Sequence, residues 1–182
     1  MALGATVFHW QVSVSDVDRG FYDEVGLRIA RHPSENMRYL LTRAIAYCLE
    51  YEEGIAFSKG GLSDDEDPPI SVRDLTGLLL AWIDIGSPSA DRLHRAAKAA
   101  PRVALYTSAE LALLRREASS RTIHRGADIA VWRLEPAMLD ALEKKVDRTG
   151  KIDLLRNDGQ LYVTVGGATV EGTITRASLV DP

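Results

Sequence analysis

Between Leu78 and Trp132 the chain alternates short apolar runs with capped amphipathic stretches, and this alternation limits the fold more than any other feature. Leu78 to Ile85, Arg102 to Tyr106 and Ile129-Ala130-Val131-Trp132 have the length and apolar character of strands. Between the first two, Ser87-Pro88-Ser89 places a proline in the first turn of a helix running to about Ala100. Thr107 and Glu110 then form a capping-box pattern for a helix through about Arg116. Helical crossovers join parallel neighbours, so strand, helix, strand, helix, strand implies at least some parallel pairing.

The flanks add antiparallel pieces. Ala5 to Val14 alternates as a half-buried strand, Asp16 to Gly20 is a turn cluster, and Phe21 to Ala30 returns as its hairpin partner. Ser34 then suits a helix N-cap, with Glu35 in the first turn where the dipole favours an anion. Met37, Leu40, Leu41, Ala44, Ile45, Cys48 and Leu49 follow at helical spacing, which predicts a helix from about Ser34 to Glu53. Ile55-Ala56-Phe57 is a short strand, and Pro136 opens a helix through Lys145. Asn157-Asp158-Gly159 between two apolar runs is a strong hairpin signal, and Val170 to Thr175 adds a last strand. No repeat, low-complexity tract or linker interrupts the chain. The expected fold is one compact α/β domain over 1–182, with a mixed β-sheet, flanking helices and added hairpins.

At 182 residues the chain can bury a real core. No run is long enough to span a membrane, and Met1 to Val14 alternates instead of showing a basic-then-apolar signal. Cys48 is the only cysteine, so an intrachain disulfide and a thiolate zinc cluster are excluded. These features point to a cytoplasmic setting. The net charge of −4 counts against a dedicated nucleic-acid binder but leaves room for a local basic wall.

The chemistry-bearing feature is Trp82-Ile83-Asp84-Ile85-Gly86, which puts a carboxylate into an apolar strand. Burying that charge is costly unless it is paired, hydrogen-bonded or bound to a cation. Asp84 therefore has two readings: one partner is an arginine or a helix start, the other a metal. Asp74 is a candidate second ligand only if the chain doubles back, because ten residues of one strand span roughly 33 Å. Thr76-Gly77 supplies the bend. Asp74 is otherwise a turn residue or a partner of Arg73. Asp65 and Glu66, in the acidic loop Asp64 to Pro69, are the next candidates, and Glu35 is a third. Two or three carboxylates with water suit magnesium or manganese, which would activate a water against a phosphodiester. Lys59 is the nearby cation that could stabilise the developing charge; alone, it reads as a solvated lysine. The four histidines lack zinc-ligand spacing. Arg121, His124 and Arg125 form a cluster able to touch phosphate.

Several segments together resemble the YaeQ family of bacterial proteins. They are the N-terminal strand, Ala30-Arg31-His32-Pro33-Ser34-Glu35, Phe57-Ser58-Lys59-Gly60, Asp65-Glu66 ahead of the prolines, and Trp82 to Gly86 with the helix after it. That family in turn resembles the PD-(D/E)XK nucleases. The resemblance implies a restriction-endonuclease-like core with a carboxylate-lined cleft for magnesium or manganese. Asp84 then takes the second acidic position, where the family pattern carries glutamate, and Asp74 the first. Arg73 stands where the proline would be, and Gly86 where the lysine would be, so a migrated charge would have to come from Lys59, Arg92, Arg95 or Lys98. Two functions are therefore expected. One is a metal-dependent phosphodiesterase using Asp84, Asp74 and Lys59. The other is a non-catalytic module of the same fold that binds nucleic acid or protein.

Overall fold

The computed structural model describes residues 4–59 and 66–180. In chain order the elements are β1 (Thr6–Asp16), β2 (Phe21–Arg31), α1 (Met37–Leu49), β3 (Ile55–Phe57), β4 (Ile70–Arg73), β5 (Leu79–Ile85) and α2 (Ala90–Ala99). There follow β6 (Arg102–Thr107), α3 (Leu111–Ala118), β7 (Ala130–Leu134), α4 (Pro136–Glu143), β8 (Thr149–Asn157), β9 (Gln160–Val165) and β10 (Ala168–Ala177). The chain is thus α/β with mixed strand pairing. The described residues group into two compact units: one runs to Glu50 and resumes over Leu134–Thr175, and the other takes Tyr51–Arg133 and the segment from Arg176.

In the first unit the strand order is β2-β1-β8-β9-β10. β1 pairs antiparallel with β2 and parallel with β8, and the β8-β9-β10 pairings are antiparallel. The alternation in β1 settles which face is buried. Phe8, Trp10 and Val12 lie opposite Ile29, Leu27 and Val25, and all six are buried. The Trp10 indole donates to the carbonyl of Asp147 at 2.8 Å, which satisfies its one polar atom. The Asn157-Asp158-Gly159 signal forms the expected turn, with Asp158 and Gly159 both at positive φ. At Gly172 of β10 a Cβ would come within 2.6 Å of Met138 in α4, so only glycine lets that helix lie on the strand.

α1 begins later and ends earlier than its sequence pattern suggests. Glu35 does not enter the first turn. Its carboxylate folds back to accept the His32 amide, and Asn36 caps the helix by accepting from the Tyr39 amide at 2.8 Å. Burial runs continuously from Leu40 to Ala46 and includes Cys48 and Leu49, so α1 is buried on more than one face, with Thr42 and Arg43 among the buried residues. Desolvation pushes the Cys48 thiol up to about 12, as befits a packed thiol rather than a nucleophile. Leu41 is buried on this helix. Leu41→Ala is expected to destabilise by about 2–5 kcal/mol, read as a lower denaturant midpoint at unchanged slope. An unchanged midpoint would contradict the placement.

In the second unit the order is β7-β6-β5-β4-β3. β5, β6 and β7 are parallel, as the alternation of elements requires, while β4 joins β5 and β3 joins β4 antiparallel. Trp82, Leu93, Ala96, Leu105, Leu114 and Val131 form the core between this sheet and helices α2 and α3. Two helix starts differ from the sequence signals. α2 starts at Ala90 with Ser89 as its cap, not at Pro88. Thr107 is not a cap for α3: it ends β6, and its hydroxyl accepts the Ala109 amide. Strand β4 lacks a clear sequence signal because it is four residues long and follows an acidic, proline-containing loop. Among the described residues no helix is long and apolar enough to cross a membrane.

Candidate functional site

Asp84 lies near the C-terminal end of β5, the central strand of the second unit, and is 2% exposed. Its burial follows from sequence, because Ala81 to Ile85 are all buried and leave no solvent face. The charge is met from within the chain. Arg92, in the first turn of α2, donates through Nε to Asp84 Oδ2 at 2.8 Å. The Trp82 indole donates to the same oxygen at 3.2 Å, and the Ile85 amide reaches Oδ1 at 3.2 Å. The Arg92 guanidinium also lies 5.3 Å from the Trp82 ring centroid, a cation–π geometry that fixes its plane. Asp84 thus has the arginine partner in this structure.

Asp74 is elsewhere. Thr76-Gly77 does bend the chain, with Gly77 at φ 88°, and β4 and β5 do pair antiparallel. The pairing, however, runs outward from this bend. Arg73 faces Leu79, and Asp74 donates its amide to the Leu78 carbonyl. Asp84 is six residues further along β5, about 20 Å away. Asp74 closes the turn: one oxygen accepts from the Thr76 hydroxyl and amide and from the Leu78 amide. These bonds hold its carboxyl below the usual range, the Thr76 hydroxyl contributing most. Asp74 and Asp84, expected together, thus lie at opposite ends of β5.

The acidic loop does return toward Asp84. Arg92 donates from its other end to the Asp67 carbonyl at 3.2 Å, and Ser58 donates its hydroxyl to Asp67 Oδ2 at 2.8 Å. Lys59, next to Ser58, is exposed, as is Glu66, while Asp65 falls outside the described residues. Glu35 belongs to the first unit and is held by Arg43, whose guanidinium donates to both its oxygens at 3.0 and 3.3 Å. Desolvation raises the Glu35 carboxyl above its ordinary range despite that arginine. Among the described residues no three His, Cys, Asp or Glu side chains gather in a metal-binding group. Among the described residues, Asp84 is a single carboxylate already held by a guanidinium, which does not fit a hard cation that needs several free oxygens.

Gly86, at the position of the motif lysine, has φ 86°, and its amide donates to the Tyr106 carbonyl. A lysine there would be strained, so the strand's exit geometry accounts for the glycine.

A second cluster lies on the outer side of α2. Arg95 and Lys98 are exposed on the helix, and the segment from Arg121 to Arg125 lies against it. Arg121 pairs with Asp91. The His124 amide donates to His94 Nδ1 at 3.1 Å, and the two imidazoles meet edge to face at 6.5 Å. Arg125 donates to the carbonyls of Ala97, Ala100 and Pro101 and so caps the helix C-terminus. Desolvation, then Arg121, Lys98 and His124, hold the His94 imidazole below its ordinary value. The sequence cluster Arg121, His124, Arg125 was visible. Its contact with His94 was not, because 30 residues separate them.

These features define a mixed-sheet α/β protein whose buried strand carboxylate is neutralised by its own chain. The chain belongs to the YaeQ family, whose model matches residues 1–174. The YaeQ protein of Escherichia coli strain K12 is 30% identical over 176 residues, covering 96% of this chain and 97% of that protein. The Salmonella typhi YaeQ protein is 29% identical over the same shares. Two crystal structures are similar throughout. The YaeQ protein of Xanthomonas axonopodis pv. citri superposes with a TM-score of 0.85 at 27% identity, over 96% of this chain and 98% of that one. That of Pseudomonas syringae gives 0.85 at 28% identity, over 96% of each.

Proposed function

We propose that this chain is a non-catalytic module that binds nucleic-acid phosphates through the outer side of α2 and the Arg121–Arg125 segment. The observation that carries the reading is the set of basic groups around His94: Arg95 and Lys98 from the helix, Arg121 and His124 from the facing segment. The net charge of −4 is that of the whole chain, so the rest of the surface is more acidic still, and binding rests on this local patch. Asp91 offsets part of the charge through Arg121. His94 adds a pH dependence. Its imidazole is kept below its ordinary pKa in the free protein, and a nearby phosphate favours the imidazolium. Affinity is therefore expected to rise as pH falls into the range where this imidazole protonates, a step in which Nδ1 gives up the His124 amide.

Fluorescence anisotropy with labelled single- and double-stranded DNA and RNA, in EDTA, tests this reading. Binding should weaken steeply with salt, and Arg95→Gln and Lys98→Gln should each lower the slope of log affinity on log salt by about 1. Absence of binding, or binding indifferent to both substitutions, would reject the reading.

A second reading, favoured by the return of the Asp67 loop to Arg92, is a PD-(D/E)XK-like phosphodiesterase. It requires Arg92 to leave Asp84 so that the carboxylate is free. Cleavage of the same oligonucleotides with manganese, lost in Asp84→Asn, would establish it.

A further inference from the structure

The first unit ends in a long strand with one side unpartnered. Among the described residues β2 pairs only with β1, and it lies at the end of its sheet. Which of its backbone groups point outward follows from the neighbouring strand. The His9 amide donates to Arg148, and the Val17 amide to Arg156, so odd residues along β1 face β8. Even residues of β1 then face β2, where the register sets them opposite odd residues: Trp10 opposite Leu27, Val12 opposite Val25. The N–H and C=O groups of Tyr22, Glu24, Gly26, Arg28 and Ala30 therefore point away from the sheet. Two hydrogen bonds agree with this parity. The Glu24 amide is met by the Asp23 carboxylate, and the Ala30 carbonyl by Arg43.

The outward series is self-complementary about Gly26. Antiparallel pairing of β2 with a second β2, centred on this residue, sets Gly26 opposite Gly26 and Glu24 opposite Arg28 on both sides of the two-fold axis. All are outward-pointing positions, so the main chains exchange about six hydrogen bonds across the axis, two of them once the Glu24 amides leave the Asp23 carboxylates. Opposite charges face each other at both flanking positions. Arg28 is exposed and makes no hydrogen bond or ion pair among the described residues, so it is free to serve a partner. The chain's own fold does not demand glycine at 26 either. Its φ is not positive, and a Cβ there would meet only the Gln11 side chain, at an ordinary 3.5 Å. A glycine in a strand interior without such a need fits the close approach of another backbone.

We propose that β2 is a homodimerisation edge, joining two copies of this chain into one continuous sheet through residues Glu24 to Arg28 about Gly26. Arg43 on the Ala30 carbonyl ends the pairing, and the short shared segment makes the dimer weak and reversible.

Sedimentation velocity over a wide range of protein concentration tests the proposal. Wild type should show a concentration-dependent monomer–dimer equilibrium. Arg28→Glu and Glu24→Arg each set like charges face to face, and each should weaken the dimer by about tenfold or more. The double variant Glu24→Arg/Arg28→Glu restores opposite charges only in this register, and should recover dimerisation. Circular dichroism melts confirm that every variant is folded. A strictly monomeric wild type overturns the proposal. So does a dimer unaffected by either single swap, or a double variant no better than the singles.

Discussion

Arg43→Met is expected to lower the unfolding free energy by about 3–5 kcal/mol at neutral pH, because it leaves Glu35 buried without its cation. The reason lies in the balance at this pair. Glu35 is 3% exposed and Arg43 6%. Desolvation outweighs the arginine, so the folded carboxyl sits above its ordinary value of 4.5. A raised folded pKa means that the folded state holds this proton more tightly than the unfolded one. Its contribution is greatest below the unfolded pKa and is lost as pH rises through the folded pKa. Removing Arg43 raises that pKa further and steepens the loss. Urea denaturation of wild type and Arg43→Met at a series of pH values checks this. The gap between them should narrow as pH falls toward 4.5, where Glu35 is neutralised by protonation. A gap that widens toward acid would mean that the pair does not act as described.

Arg92→Met is the second large effect, again about 3–5 kcal/mol, for the same reason at Asp84. Here the Trp82 indole and the Ile85 amide stay in place, so the carboxylate keeps two neutral donors and loses only the charged one. Asp84→Leu combined with Arg92→Met removes both charges and should recover part of the loss, the remainder being the cost of leaving the Trp82 indole and the Ile85 amide without their acceptor. Chemical denaturation of the two single variants and the double variant gives the coupling directly. Independent, additive effects would show that the two side chains do not hold each other.

The parallel middle of the fold was legible because its signals are local: apolar runs of strand length, a proline and serines near α2, and a period-2 strand at the N-terminus. The Asn157-Asp158-Gly159 turn was equally plain, since two positive φ values need those residues. The misplaced helix starts share a cause. Ser34, Glu35 and Pro88 each carry a sound capping signal, but Glu35 is drawn away by Arg43, and Ser89 provides the cap nearer the helix. At the site, burial of Asp84 could be read from its apolar neighbours. Its partner could not, since Arg92 was one of several basic residues nearby. Asp74 misled for a geometric reason: a hairpin brings its strands together, but a residue at the bend stays a full strand length from the other end. The pairing of His124 with His94 joins residues far apart in sequence, and no local pattern records it.

The central claim is that the buried carboxylate of β5 is satisfied by Arg92, and that the basic face of α2 carries function without a bound cation. Calorimetric titration of manganese into wild type and Asp84→Asn, at millimolar metal, tests this most directly. The expected result is no saturable binding in either protein. A one-to-one isotherm in wild type that disappears in Asp84→Asn would contradict it, and would return Asp84 to the role of metal ligand.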